Sequence, residues 1–531
     1  MVVVVVMVVM LVVMVVVIVI QYRKLLQMIL VLGIGGTFQA GFQVSMITFT
    51  SPHVKAFLNS TFRDPVPPET LTFLWSLVVS IFAFGGLLGS ILSGYLATKY
   101  GKKKCLLGNN LAMLAASLLL ASSRWAASFE LILAGRFLCG FCVGLGIPLH
   151  PQYLGEVSPK SLRGFANATA STFWSLGKVC GQVTGQREVL GSADRWPFLM
   201  AFSGLPALVQ LLTLPFFPES PPDLFLCRGD EQRSREAMEA YWGAGKPWRI
   251  QEEMEDLWRQ KASGVACSSA GGPRACWSLF RERSLRRQLC LLILLTAGVQ
   301  LSGIQAVESG ARPVRHGLPG TCSFPPQIYS YTFEVLSAAG FQEDDIPSLS
   351  MGLSAFELLS ALLCSAVIER FGRRVLLWGG YWVMATVLAG LTLTLSLQHL
   401  QPWIPYCSLG LIFGFVFSFG MGPAGATASV RMEIFDQASR PSSFVFSAVL
   451  NWVGTLVIGM VFPFIVEHFG QFCFLLFMAV LYLSGFLVYF YLPETKEKSI
   501  MEIRKEFDKI NFKKELETSA APDAPAFCTK L

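Results

Sequence analysis

The chain carries apolar stretches long enough to cross a lipid bilayer, in two sets of six. They centre near residues 36, 84, 114, 141, 175 and 206, then near 299, 358, 386, 416, 456 and 481, with a polar segment from Pro218 to Gln288 between the sets. A spanning helix needs about 20 mostly apolar residues, because the hydrocarbon offers no partner to a bare backbone amide or carbonyl. Composition agrees: 53% of the residues are hydrophobic and 15% charged, against roughly 25% charged in soluble domains. The pattern excludes a soluble multidomain protein and predicts an all-α polytopic membrane protein with twelve transmembrane helices.

Small residues recur at spacings of three and four within these stretches, as in Gly85, Gly86, Gly89 and Gly94, or Gly140, Gly144 and Gly146. Such faces let membrane helices approach closely. Lysine and arginine collect at Lys99 to Lys104, Arg281 to Arg287, Arg370 to Arg374 and Lys496 to Lys514. All four fall on one side if the chain crosses as counted, and the positive-inside rule makes that side the cytoplasm, with both termini and the bridge. The net charge of +7 is then a property of these loops and implies no nucleic-acid partner. The loop at about Ser51 to Thr70 falls outside, and it holds the glycosylation sequon Asn59-Ser60-Thr61.

The sequence divides into a low-complexity apolar segment at 1–20, a first six-helix half at 21–217, a cytoplasmic bridge at 218–288, a second six-helix half at 289–492 and a cytoplasmic tail at 493–531. The bridge has charged, helix-forming stretches at Arg233 to Tyr241 and Gln251 to Lys261. Residues 1–20 contain only Val, Met, Leu and Ile, without the basic start or cleavage site of a signal peptide, and are not expected to join the fold. A second anomaly interrupts the seventh stretch: after Ala306 come Glu308, Arg312, Arg315 and several prolines before apolar character returns at Ile328. Charge and proline are costly in mid-span, and removing 307–327 restores one continuous helix. The segment reads as an insertion, consistent with a retained intron.

Thirteen cysteines and five histidines show no metal-ligand spacing. Cys139 and Cys142 form a C-x-x-C within an apolar run, where packing is the expected role. No nucleophile, base and metal set occurs on any loop, so no enzyme, cofactor or metal is expected.

Two loops repeat. Gly94-Tyr95-Leu96-Ala97-Thr98-Lys99-Tyr100-Gly101-Lys102-Lys103-Lys104 in the first half has a counterpart in Glu369-Arg370-Phe371-Gly372-Arg373-Arg374 in the second. Further motifs are Gly135-Arg136, Pro151-Gln152-Tyr153-Leu154-Gly155-Glu156-Val157-Ser158-Pro159 with Arg163-Gly164, Pro218-Glu219-Ser220-Pro221 and Pro493-Glu494-Thr495-Lys496. Together they resemble the sugar porters of the major facilitator superfamily. Gly36-Thr37-Phe38-Gln39, Val367-Ile368-Glu369-Arg370, Gly422-Pro423-Ala424-Gly425 and Phe435-Asp436-Gln437 are most similar to the class II facilitative hexose transporters.

The resemblance implies the major facilitator fold, hexose transport by alternating access and a plasma-membrane location. It implies that Glu156, Arg163, Glu369, Arg373 and Glu433 form the cytoplasmic ion pairs that hold the halves together in the outward-open state. It also places Gln39, Phe42, Gln182, Gln300, Gln305, Glu357, Asn451 and Trp452 at the sugar. Neutral amides suit hydroxyls that both donate and accept, and aromatic faces suit the C–H surface. Ala428 stands where class I members carry tryptophan, which resembles a fructose-tolerant site. Val299, Gln305, Ser171 and Gln43 depart from the family pattern.

Facilitated uniport of glucose or fructose is therefore the leading expectation. A proton-coupled symporter is the alternative within transport; Gln43, where such symporters carry aspartate, argues against it. A non-transporting sensor or defective gene product is the alternative outside transport. Two charges lie within spans. Lys178 follows Arg163 by fifteen residues and Glu357 precedes Glu369 by twelve, roughly 22 and 18 Å into the bilayer at 1.5 Å per residue. In the fold that the resemblance implies, the fifth and eighth spans meet where the halves join. The two are therefore expected to pair there in at least one transport state; a separately snorkelling Lys178 and a water-bound Glu357 are the alternative.

Overall fold

The computed structural model describes residues 22–61, 67–243, 247–262, 279–281, 285–302, 346–397, 400–401, 403–469 and 472–511. The segments 1–20 and 307–327, Gln305 and residues 512–531 lie outside them. Every regular element described is helical.

The first half contains α1 (Arg23–Gly35), α2 (Thr37–Thr61), α3 (Pro68–Tyr100), α4 (Lys102–Ser122), α5 (Phe129–Val157), α6 (Arg163–Thr184), α7 (Trp196–Ala201) and α8 (Gly204–Thr213). The bridge contributes α9 (Glu231–Trp242) and α10 (Pro247–Ala262). The second half contains α11 (Arg286–Gln300), α12 (Ile346–Phe371), α13 (Arg373–Leu397), α14 (Ile404–Phe419), α15 (Gly425–Ile434), α16 (Arg440–Phe469) and α17 (Cys473–Tyr491), and α18 (Ile500–Asn511) closes the described chain.

Ten helical segments among the described residues are long and apolar enough to span a membrane. The expected fifth and seventh spans are not among them, for different reasons. Helix α6 has full length, but Thr169, Ser171, Thr172, Ser175 and Lys178 dilute its hydropathy, because it packs against protein on α2, α12 and α15. Helix α11 has only 15 residues before the described chain breaks off past Ser302. The expected external loop also changes: α2 continues through Pro52 to Thr61, so Asn59 lies in its last turn.

The glycine faces mesh as their spacing predicts, since a Cβ on Gly85, Gly89, Gly140 or Gly144 would strike the backbone of the facing helix in the α3–α5 pair. Two apolar cores result, one in each half. Trp452 of α16 belongs to the first-half core and Ala168 of α6 to the second-half core, so the halves interdigitate at α16–α3 and α6–α12. The bridge helices, α18 and the start of α1 gather at one end of the bundle: Arg249 donates to the Tyr22 hydroxyl at 2.7 Å, and Arg504 pairs with Asp436 at 3.1 Å. That end is called the bridge end below.

Candidate functional site

The two loop repeats build two copies of one polar cluster at the bridge end. Gly101 and Gly372 both adopt positive φ, 85° and 86°, a conformation cheap only for glycine. Each turn sets a cation at the start of the next helix. Lys102 reaches Glu156 at 3.0 Å, and Arg373 reaches Glu433 at 2.8 Å and Glu369 at 2.7 Å. The carboxylates are finished by the Pro-Glu-Ser and Pro-Glu-Thr motifs, through Ser220 to Glu156 and Thr495 to Glu433, both at 2.5 Å. Glu494 accepts from the Arg373 and Arg374 amides at 3.0 and 3.1 Å, capping α13 where a helix N-terminus favours negative charge.

Fewer bonds cross between the halves. Gln437 donates to Glu156 at 2.8 Å and Arg440 lies 3.8 Å from the same carboxylate. In the other direction Glu369 accepts from the Phe165 amide at 2.9 Å, and Ser429 donates to the Gly164 carbonyl at 3.1 Å. Glu156, Glu369, Arg373 and Glu433 thus gather at this end, but their close ion pairs lie within the halves and do not form the expected latch between them. Arg163 turns to the bridge, donating to Glu253 at 3.1 Å and to the Gly155 carbonyl at 3.2 Å, while Lys102 and Arg440 take the places at Glu156. Beside it Lys160 faces Glu252, Glu253 and Asp256 of α10. Burial works to lower its ammonium, but Glu253, Asp256 and Glu252 outweigh that and hold it above the ordinary lysine value.

Lys102, Ser220, Gln437, Arg440, Thr495 and Glu494 were not singled out from sequence as members of the gate. The recurrence of Pro-Glu-Ser as Pro-Glu-Thr was the available signal, since equivalent motifs in the two halves serve equivalent carboxylates.

Deeper in the bundle, α6 and α12 run antiparallel and share a polar seam. Thr172 meets Ser365 at 3.2 Å, and one turn on Glu357 accepts from Ser175 at 2.8 Å and from Lys178 at 2.9 Å. Lys178 and Glu357 are both almost fully buried, and the structure brings them together across the junction. On the other side of the interface Trp452 packs on Gly86, with its indole N–H donating to Ser90 at 3.0 Å.

The remaining sugar candidates divide. Gln300 donates to Asn451 within the second half. Gln39 Nε2 and Gln182 Oε1 are buried atoms with no hydrogen-bond partner among the described residues, a costly condition for a polar atom unless something else fills it. Gln182 lies one turn beyond Lys178 on α6. Ala428 is partly exposed on α15. Phe42 is fully buried, stacked on Phe202 at 4.8 Å between centroids, so its ring serves packing in this conformation. Both oxygens of Glu357 are taken by Ser175 and Lys178. Gln43 is held by Arg136 at 2.7 Å and donates to Ser203 at 2.8 Å, a network internal to the first half. Among the described residues no group of acidic, histidine and cysteine side chains could hold a metal ion.

Residues 28–309 and 327–507 match the family described as Sugar (and other) transporter. The chain belongs to this family. It is 38% identical over 497 residues to the human protein named solute carrier family 2, facilitated glucose transporter member 11, covering 93% of this chain and 95% of that one. It is 34% identical to member 9 of Pongo abelii, covering 92% and 82%, and 34% identical to member 5 of Mus musculus, covering 93% and 95%. Among solved structures, the proton:xylose symporter XylE bound to 6-bromo-6-deoxy-D-glucose superposes with a TM-score of 0.74 at 19% identity, over 92% of this chain and 100% of that one. That likeness establishes the major facilitator fold. This sugar transporter is a multi-pass membrane protein and not an enzyme.

Proposed function

We propose that the protein carries a hexose, glucose or fructose, passively across the plasma membrane by alternating access between its two halves. The observation that carries this reading is the joint between the halves, closed at the bridge end by short polar contacts over buried neutral amides. Gln39 and Gln182 each keep an atom with no partner among the described residues, which a sugar hydroxyl would complete. Similarity over more than nine-tenths of the chain to three proteins named facilitated glucose transporters supports the same substrate class. Gln43 argues for uniport, because a neutral amide cannot carry a proton.

The bridge end is the cytoplasmic end in this reading, supported by Lys102, Lys103, Lys104, Arg373 and Arg374 gathered there. Residues 307–327 are read as an insertion that breaks the seventh span, and the family match pauses between 309 and 327. The test is uptake of radiolabelled glucose and fructose in hexose-transporter-null cells, by the full chain and by a chain lacking 307–327. Saturable uptake that ignores a pH gradient is expected, at least from the shortened chain. Accumulation above the external concentration, abolished by a protonophore, would overturn uniport.

A further inference from the structure

The break between the first two helices builds a polar corner that the sugar candidates described above do not include. Helices α1 and α2 part at Gly36, where a Cβ would lie 2.9 Å from the Cβ of His150 on α5. Glycine there gives the imidazole its place. His150 is fully buried, and its neighbours Thr37 and Gln39 are more than nine-tenths buried.

Hydrogen bonding fixes which way each group works. The Thr37 hydroxyl donates its one proton to the Ala170 carbonyl of α6 at 2.8 Å. Its contact with His150 Nδ1, at 3.2 Å, is therefore donated by the ring. A neutral imidazole has one donor and one acceptor, so Nε2 is left as the acceptor. Among the described residues nothing donates to it. Gln39 has the complementary need. It lies three residues past Gly36, about one helical turn along the same side of the chain, and its Nε2 is a donor with no acceptor among the described residues.

A ligand that completes both atoms has to donate to one and accept from the other. A hydroxyl does both with a single oxygen, whereas a carboxylate has nothing to donate and an ammonium nothing to accept with. Both atoms are closed to bulk solvent, so the group that completes them enters through the bundle.

We propose that His150 contacts the transported hexose: its Nε2 accepts from one sugar hydroxyl, and the oxygen of that hydroxyl accepts from Gln39. Thr37 is a positioning residue that holds the ring in the required tautomer. The proposal rests on the reading of the protein as a hexose carrier, and it makes one hydroxyl of the sugar count for more than the others.

The test is thermal unfolding of the purified full chain with increasing glucose or fructose, since a ligand of the folded state raises the midpoint according to its affinity. L-Glucose is the control. The probes are glucose and fructose analogues with fluorine in place of one hydroxyl, because fluorine cannot donate. In the wild type one position should be distinctive, its fluoro analogue binding about fivefold more weakly than the parent sugar. His150→Asn puts an amide nitrogen where Nδ1 lies and keeps the Thr37 bond but has nothing at Nε2. There the parent sugar should weaken by the same factor and bind no better than that analogue. His150→Gln, whose amide oxygen reaches the Nε2 place, should keep the distinction. Thr37→Val leaves the ring but frees its tautomer, should shrink the distinction to about twofold, and decides the matter if His150→Asn does not fold. A wild type that treats every position alike, or a His150→Asn chain that weakens parent and all analogues equally or not at all, overturns the role of His150 alone. Neither parent sugar raising the wild-type midpoint above L-glucose overturns the carrier reading and this proposal with it.

Discussion

Glu156 is held by Lys102 of its own half and Ser220 of the bridge on one side and by Gln437 of the second half on the other, which allows the crossing bond to be tested against an internal control. Ser220 donates to one oxygen at 2.5 Å from the bridge side of the first half, and Gln437 donates to the other at 2.8 Å from the second half. A hydrogen bond to a charged group contributes about 1.5–3 kcal/mol net. Arg440 already lies 3.8 Å from the Gln437-facing oxygen and can close in when Gln437 is truncated, so the lower figure applies. Gln437→Ala should therefore weaken closure of the bridge end by about 1.5 kcal/mol, roughly a tenfold shift in the ratio of closed to open states. Ser220→Ala should lower thermal stability by a comparable amount and leave that ratio alone, because its bond does not cross the joint. Hydrogen–deuterium exchange of the purified protein, followed on peptides from 163–172 and 425–434, reads the difference. Faster exchange in both peptides is expected for Gln437→Ala only. Equal acceleration in the two variants would show that the carboxylate acts as a local structural anchor and that the joint does not depend on it.

Other substitutions test separate parts of the structure. Ala428→Trp should reduce fructose uptake more than glucose uptake, and an unchanged ratio of the two removes Ala428 as a determinant of sugar choice. Gly86→Val places methyl groups against the Trp452 ring, where overpacking costs about 1–3 kcal/mol; the melting temperature of the sugar-free protein should fall, and Trp452→Leu added to it should recover part of the loss. Asp223 in the bridge is pushed above the ordinary aspartate value by burial, with Lys102 pulling it down and Glu156 pushing it up. The folded state thus favours the protonated form, and the resulting stability is full in acid below the ordinary value and is lost as pH rises through the folded one. Asp223→Asn should match the wild type in acid melts and exceed it at neutral pH, and parallel curves would contradict this. If the end of α2 is extracellular, Asn59→Gln should abolish a glycosidase-sensitive mass shift in cell-expressed protein.

The apolar periodicity located most of the helices, because burial in lipid requires long apolar runs whatever the tertiary detail. It was least informative at α6. That helix faces protein along much of its surface, so Thr172, Ser175 and Lys178 could be polar, and a hydropathy criterion passes over the helix that supplies the central seam. Lys178 and Glu357 were nevertheless legible as a pair, since helix rise places them at similar depth and the fold that the resemblance implies brings their spans together. Arg163 shows the opposite case. The resemblance implies a place for it in the ion pairs between the halves, but the packing of a third element, α10, brings Glu253 to it instead.

The distribution of bond types at the bridge end bears on how such a joint can move. Within each half the cation and carboxylate are close and the carboxylate is completed by a hydroxyl, in Lys102–Glu156–Ser220 and Arg373–Glu433–Thr495. The crossing contacts are of weaker kinds: a side-chain amide from Gln437, a backbone N–H from Phe165, a hydroxyl from Ser429 to a carbonyl, and a 3.8 Å approach of Arg440 to Glu156. Full-strength ion pairs across the joint would hold one state too firmly, since breaking a buried pair costs about 3–5 kcal/mol and several together would exceed what a bound sugar returns. Placing the strong pairs inside the halves keeps each half rigid as it rocks. The weak contacts between them leave the balance of states within reach of a few hydrogen bonds, and the buried Lys178–Glu357 pair lies deeper along the seam, away from this end.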